Sequence, residues 1–118
     1  MTSKDSIEQL RKELEAFAAE RDWAQFHNPK NLVMALVAEA GELTEHFQWL
    51  GFEESERLSP ETLAEVELEI ADVLLFLVRL ADRLGIDPVR AARKKLALNA
   101  AKYPVAKARG KATKYDKL

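Results

Sequence analysis

Four carboxylates in this sequence are spaced as metal ligands are. Glu39 and Glu42 stand in AEAGEL, and Glu69 and Asp72 stand in LEIADVLL. Each pair is separated i, i+3 in sequence that reads as helix, so its two carboxylates share one face. Both pairs sit among apolar residues, where unpaired like charges are costly unless something positive compensates them. A divalent cation is the simplest compensation. An all-oxygen donor set suits a hard ion, Mg²⁺ first and Mn²⁺ second. Mg²⁺ keeps several waters and commonly bridges substrate phosphates, which points to a polyphosphate substrate. Glu42, or Glu45 one turn on, is the candidate to position or deprotonate an attacking water. A di-iron bundle is excluded by spacing: it needs Glu-x-x-His, and the residues three before His46 and His27 are Leu43 and Ala24.

Aromatic residues supply material for a nucleoside pocket. Trp23, Phe26 and His27 cluster in RDWAQFHNP, Trp49 lies further along, and Phe76 stands one turn beyond Asp72. Stacking a base on an aromatic face contributes roughly 1–3 kcal/mol. Taken singly, each of these aromatics also reads as core or interface filler. Lys95, Asn99 and Lys102 are spaced i, i+4, i+7, so they share a helix face that could meet phosphate. The plainer reading of that face is a solvated basic surface near a helix C-terminus.

Four helices with short turns are expected to carry these residues. The first spans roughly 6–22, with Ser6 and Gln9 as a capping box. The second starts at Asn28-Pro29 and runs to about Leu50, where Gly51 ends it. A polar connection, 51–59, leads to Ser59-Pro60, which opens a third helix ending at Gly85. Asp87-Pro88 opens the fourth, and Pro104 terminates it. In the second helix Glu39 interrupts the seam Leu32, Leu36, Leu43, His46 and Leu50, and Gly41 leaves room beside Glu42 for a close helix or a ligand. In the third, Leu63, Val66, Ile70, Val73, Leu77, Leu80 and Leu84 form a continuous 3-4 stripe that reads as the core face. Asp72 is the lone charge between Ile70 and Val78, so the middle of this helix is expected to be buried all round. The organisation is an all-α, four-helix bundle-like domain over 1–104 and a basic, extended tail over 105–118.

Size and composition agree. The 118 residues suit one domain, and 47% hydrophobic with 32% charged residues reads as soluble and globular. The net charge of −2 provides no basic field for nucleic acid, although Lys107, Arg109, Lys111, Lys114 and Lys117 concentrate positive charge in the tail. Absence of cysteine removes disulfides and thiolate metal sites. The segment MTSKDSIEQL has no apolar signal-peptide core, and the run Val73–Val78 is too short to span a bilayer. A cytoplasmic location is the default expectation, with no membrane partner.

Together, E-x-x-E followed by E-x-x-D, RDW-x-x-FH, FQW and K-x-x-x-N-x-x-x-YP resemble the MazG-like all-α nucleoside triphosphate pyrophosphohydrolases, in particular their dCTP pyrophosphatase branch. The resemblance rests on Phe17–Leu50, Glu69–Asp82 and Lys95–Pro104. It implies that Glu39, Glu42, Glu69 and Asp72 bind Mg²⁺. It also implies that Trp23–His27 and Trp49 line the base and sugar pocket, and that Lys95 and Asn99 meet phosphate. The implied reaction is dNTP plus water giving dNMP and pyrophosphate, as nucleotide-pool cleansing that includes modified nucleotides. The implied assembly is a homodimer or a dimer-based tetramer. Relatives of the animal type carry tyrosine where Phe76 stands and histidine where Leu14 stands, two departures that bear on the preference for cytosine. The alternative from another class is a non-catalytic helical dimer that binds a nucleotide or a protein partner.

Overall fold

A computed structural model of the protein describes residues 6–118; Met1–Asp5, the first half of the segment read as lacking a signal core, lie outside the described residues. The order is α1 (Ile7–Glu20), a 3₁₀ turn (Ala24–Phe26), α2 (Pro29–Glu45), α3 (Phe52–Ser55), α4 (Pro60–Arg83), α5 (Pro88–Lys102), α6 (Val105–Ala108) and a 3₁₀ turn (Tyr115–Lys117). There is no strand among the described residues, so the fold is all-α.

The helix starts follow the cap chemistry. Gln9 N–H donates to Ser6 Oγ at 3.0 Å, Asn31 N–H to Asn28 Oδ1 at 2.9 Å, and Thr62 N–H to Ser59 Oγ at 3.2 Å. Asp87 Oδ1 accepts from both Val89 and Arg90 N–H at 3.1 Å. Each satisfies backbone donors that a helix end leaves free. Proline follows the cap in α2, α4 and α5, where its missing N–H costs nothing.

The ends differ more from expectation. Helix α2 stops at Glu45, short of Leu50, and the chain passes through turns at His46–Trp49. Thr44 Oγ1 donates to Ala40 O at 2.9 Å in this last turn, a bond to the preceding turn that loosens a helix end. Gly51 therefore does not end α2. It opens α3 inside the connection read as irregular, its N–H donating to Glu54 Oε1 at 3.1 Å. Helix α4 does end at Gly85, whose φ of +69° lets Ile86 N–H reach Ala81 O at 2.8 Å. Helix α1 closes in the same way on a residue without that freedom: Asp22 takes φ +54°, and Trp23 N–H donates to Ala18 O at 2.9 Å. Gln25 Nε2 braces this turn by donating to Asp22 O and Oδ2.

Residue contacts group the described residues into two compact units, one ending at Ile86 and the other Asp87–Leu118. In the first, α2 packs chiefly on α4 and α1 packs more lightly on α4. Ala18, Leu32, Val66, Val78 and Ala81 are its buried apolar residues, with Leu32 only 2% exposed. The stripe expected to be the core face of α4 is buried only in part. Val66 is buried and Val73 and Leu80 half-buried, but Leu63, Ile70, Leu77 and Leu84 are 44–56% exposed. These four residues are seven apart and form one row on the helix. The neighbouring stripe, with Glu69, Asp72, Phe76 and Arg79, is the better covered. The middle of α4 is thus covered on one side, not all round, and Asp72 is half-buried. A Cβ added to Gly41 would meet nothing within 4 Å among the described residues, so neither α1 nor α4 uses the room it leaves.

In the second unit, the segment read as extended contains α6 and the last 3₁₀ turn. Tyr115 packs edge-on against Tyr103 with ring centres 6.1 Å apart, and Lys102 Nζ lies 4.9 Å from the Tyr115 ring centre.

Candidate active site

Packing of α2 against α4 turns two separate acidic pairs into one cluster. Glu39 enters from α2, Glu69 and Asp72 from α4, and one carboxylate oxygen of each lies within 4.8 Å of the others. Glu39 Oε2 and Glu69 Oε2 are shielded from solvent and have no hydrogen-bond partner. Burial first, then the adjacent Glu69 and Glu42 carboxyls and the Asp72 charge, push the Glu39 carboxyl up to about 7. Glu39 is thus poised between sharing a proton with its acidic neighbours and facing a cation. Unpartnered, buried, all-oxygen donors fit a hard divalent ion.

Glu42 reaches the Glu39 carboxyl and, with Glu45, His46, Glu65, Leu68 and Glu69, lines an open cavity of about 410 Å³. His46 Nδ1 stands 3.6 Å from Glu65 Oε2 in this cavity.

A second cavity of about 250 Å³ is mainly apolar. Leu14, Phe17, Trp23, His27, Asp72, Leu75, Phe76 and Arg79 line it. The strained turn at Asp22 delivers Trp23 here, its ring edge-on to Phe17 at 5.7 Å and to His27 at 6.4 Å. Asp72 belongs to both the carboxylate cluster and this cavity, so the two meet at one side chain.

The expected site residues therefore divide. Glu39, Glu69 and Asp72 come together with Glu42 beside them, Glu42 and Glu45 share the open cavity, and Trp23, His27 and Phe76 share the apolar one. Phe26 and Trp49 line neither, and Trp49 is 87% exposed. Lys95, Asn99 and Lys102 lie on α5 in the second unit. Arg79 is the residue that motif reading passed over. It is 6% exposed, and its signal was present in the sequence: a cation seven residues after Asp72 on the same stripe of an apolar helix.

Known proteins resemble this chain over most of its length. The chain is 44% identical to dCTP pyrophosphatase 1 of Bos taurus over 99% of its length and 70% of the relative's. It is also 44% identical to dCTP pyrophosphatase 1 of Homo sapiens, over 96% of this chain and 68% of that one. Among solved structures, a pyrophosphatase from Archaeoglobus fulgidus superposes with a TM-score of 0.81 at 37% identity, covering 88% of this chain and 97% of the other. The sequence model of the MazG-like family matches residues 34–118, a span that includes both acidic pairs and α5, and the chain belongs to that family.

Proposed function

We propose that this protein is a Mg²⁺-dependent nucleoside triphosphate pyrophosphohydrolase that cleaves dCTP or related, including base-modified, deoxynucleotides to the monophosphate and pyrophosphate. The observation that carries this reading is the double membership of Asp72: a triphosphate held at the carboxylates would place its nucleoside beside the aromatic cavity. The names of the animal relatives support the choice of dCTP.

Glu39, Glu42, Glu69 and Asp72 would hold the Mg²⁺, with Mn²⁺ as a substitute. When bound, the ion supplies charge neutralisation at the phosphates and a site for ordering the nucleophilic water. Glu42 and Glu45 are the side chains we assign to positioning that water and taking its proton. Trp23 and Phe76 would receive the base, and Leu14 and Phe76 make this cavity less polar than one lined by histidine and tyrosine. Phosphate contact by Lys95, Asn99 and Lys102 rests on the family motif alone.

The row Leu63, Ile70, Leu77 and Leu84 supports a homo-oligomer. An apolar row repeating every seven residues on a half-exposed helix face is the pattern of a helix–helix seam. No helix among the described residues is long and apolar enough to cross a membrane. A cytoplasmic setting, with free nucleoside triphosphates as the substrate pool, goes with this reading.

Purified protein with Mg²⁺ is expected to release pyrophosphate, not orthophosphate, from dCTP. Asp72→Asn is expected to lower kcat by more than the roughly 10–100-fold seen when an outer-shell partner of a metal is lost, with helicity by circular dichroism unchanged. Orthophosphate as the product, or an unaffected variant, would overturn the assignment. A panel of nucleotides in the same assay identifies the base.

A further inference from the structure

Arg79 is the one polar or charged residue whose whole side chain is buried among the described residues, and its partners are unusual. Its Nη1 donates to Asp82 Oδ2 at 3.4 Å, and its Nε donates to His27 Nδ1 at 3.1 Å. The other Asp82 oxygen accepts from Arg11 Nη1 of α1 at 3.2 Å, and Arg11 is itself held by Glu8 and Glu15. A polar chain therefore runs from α1 through α4 to the turn that carries His27.

The chemistry of this contact leaves one solution. A guanidinium keeps its protons at any working pH, and its nitrogens only donate. His27 Nδ1 must therefore present a lone pair, so the imidazole is neutral and its proton sits on Nε2. Nε2 has no hydrogen-bond partner among the described residues, and His27 lines the apolar cavity beside Trp23 and Phe76. The groups around the ring favour the same state. Burial and the charges of Arg79 and Arg83 on α4 hold His27 below the ordinary histidine range, with Asp72 the anion that shares the cavity and Asp82 engaged by Arg79 and Arg11.

We propose that Arg79 is a positioning residue that locks His27 as the Nε2–H tautomer, making His27 a fixed hydrogen-bond donor to an acceptor atom of the nucleoside in the cavity. The ligand half of this inference rests on the function proposed above; the tautomer half does not. A rigid neutral donor selects an acceptor edge without attracting or repelling charge, and it stays neutral where an ordinary histidine would begin to carry a second proton.

Nitrogen-15 NMR of the imidazole rings tests the first half in the intact, nucleotide-free protein. The chain has two histidines, so His46→Gln assigns the signals. The expected spectrum at neutral pH has a pyridine-like Nδ1 and a pyrrole-like Nε2 for His27. A protonated Nδ1, or an imidazolium, overturns the proposal without any assay of activity. The second half is read from a double-mutant cycle with dCTP. His27→Leu and Arg79→Met are each expected to raise KM about 5-fold, the effect of one hydrogen bond, with a smaller change in kcat, and the double variant is expected to resemble His27→Leu alone. Additive effects, or a KM unmoved by His27→Leu, overturn it. Arg79→Lys, which keeps the charge but lacks the Nε geometry, is expected to behave as Arg79→Met does; retention of wild-type KM would overturn the tautomer lock. Absence of turnover in the wild type would refute the proposed function while leaving the NMR result to stand or fall by itself.

Discussion

Glu39 on α2 and Glu69 on α4 meet at the carboxylate cluster, and each keeps an Oε2 shielded from solvent with no hydrogen-bond partner. As carboxylates neither can donate, so only a shared proton or a cation relieves the pair.

Metal-free protein is expected to become less stable as pH rises. The Glu39 carboxyl is raised from 4.5 to about 7 in the fold. Between these values the unfolded chain has released a proton that the folded chain keeps, so the folded state loses ground with each increment of pH. The contribution is fully present below about 4.5 and gone above about 7. Melting temperatures in EDTA should fall across this window, and Glu39→Gln should show a shallower fall. Saturating Mg²⁺ should restore wild type but not Glu39→Gln at pH 8. An identical pH slope in wild type and variant would contradict the assignment.

Trp23→Ala is expected to raise KM for dCTP roughly 5- to 150-fold, the range of one lost base stack. Trp49→Ala should leave KM within a few-fold, since in one chain the ring is outside the cavity. Steady-state kinetics on the two variants separates them; a larger effect at Trp49 would mean that assembly brings it to the nucleotide.

Two glycines should respond with opposite signs. Gly41 lies within α2 and a Cβ there has open space, so Gly41→Ala should stabilise by about 0.5–1 kcal/mol. Gly85 has the same open space but φ +69°, so Gly85→Ala should destabilise by about 1 kcal/mol through backbone strain alone. Urea unfolding measures both. Destabilisation at Gly41 would show that a partner helix occupies its surface.

The exposed row on α4 predicts an assembly. Wild type is expected to elute above its monomer mass in light-scattering chromatography, and Ile70→Lys with Leu77→Lys to shift to monomer. A monomeric wild type would assign the row to some other partner.

Much of this protein was legible along the chain because local chemistry is written locally. Ser6, Asn28, Ser59 and Asp87 mark helix starts through short-range caps, and Gly85 marks an end because α4 closes there on a positive φ. The i, i+3 pairing of Glu39 with Glu42 and of Glu69 with Asp72 is likewise a property of helix geometry. The early end of α2 was less visible, since a single Thr44 hydroxyl competing for Ala40 O leaves no periodic signal. The strained turn at Asp22 was hidden for a similar reason: aspartate is not the residue that usually marks that conformation.

The sequence by itself determined the all-α class, the cap positions and which carboxylates belong together in pairs. Tertiary structure decided that Glu39 meets Glu69 and Asp72, that Asp72 joins the carboxylates to the aromatic cavity, and that Arg79 faces His27. It also decided which stripe of α4 is covered, the one with Glu69, Asp72, Phe76 and Arg79, reversing the expectation for Leu63, Ile70, Leu77 and Leu84. Periodicity reports that a face is apolar, but two adjacent stripes on one helix differ only by a rotation. Which of them turns inward depends on the rotation at which α2 and α1 pack against it, and that rotation is set by contacts between residues far apart in the chain.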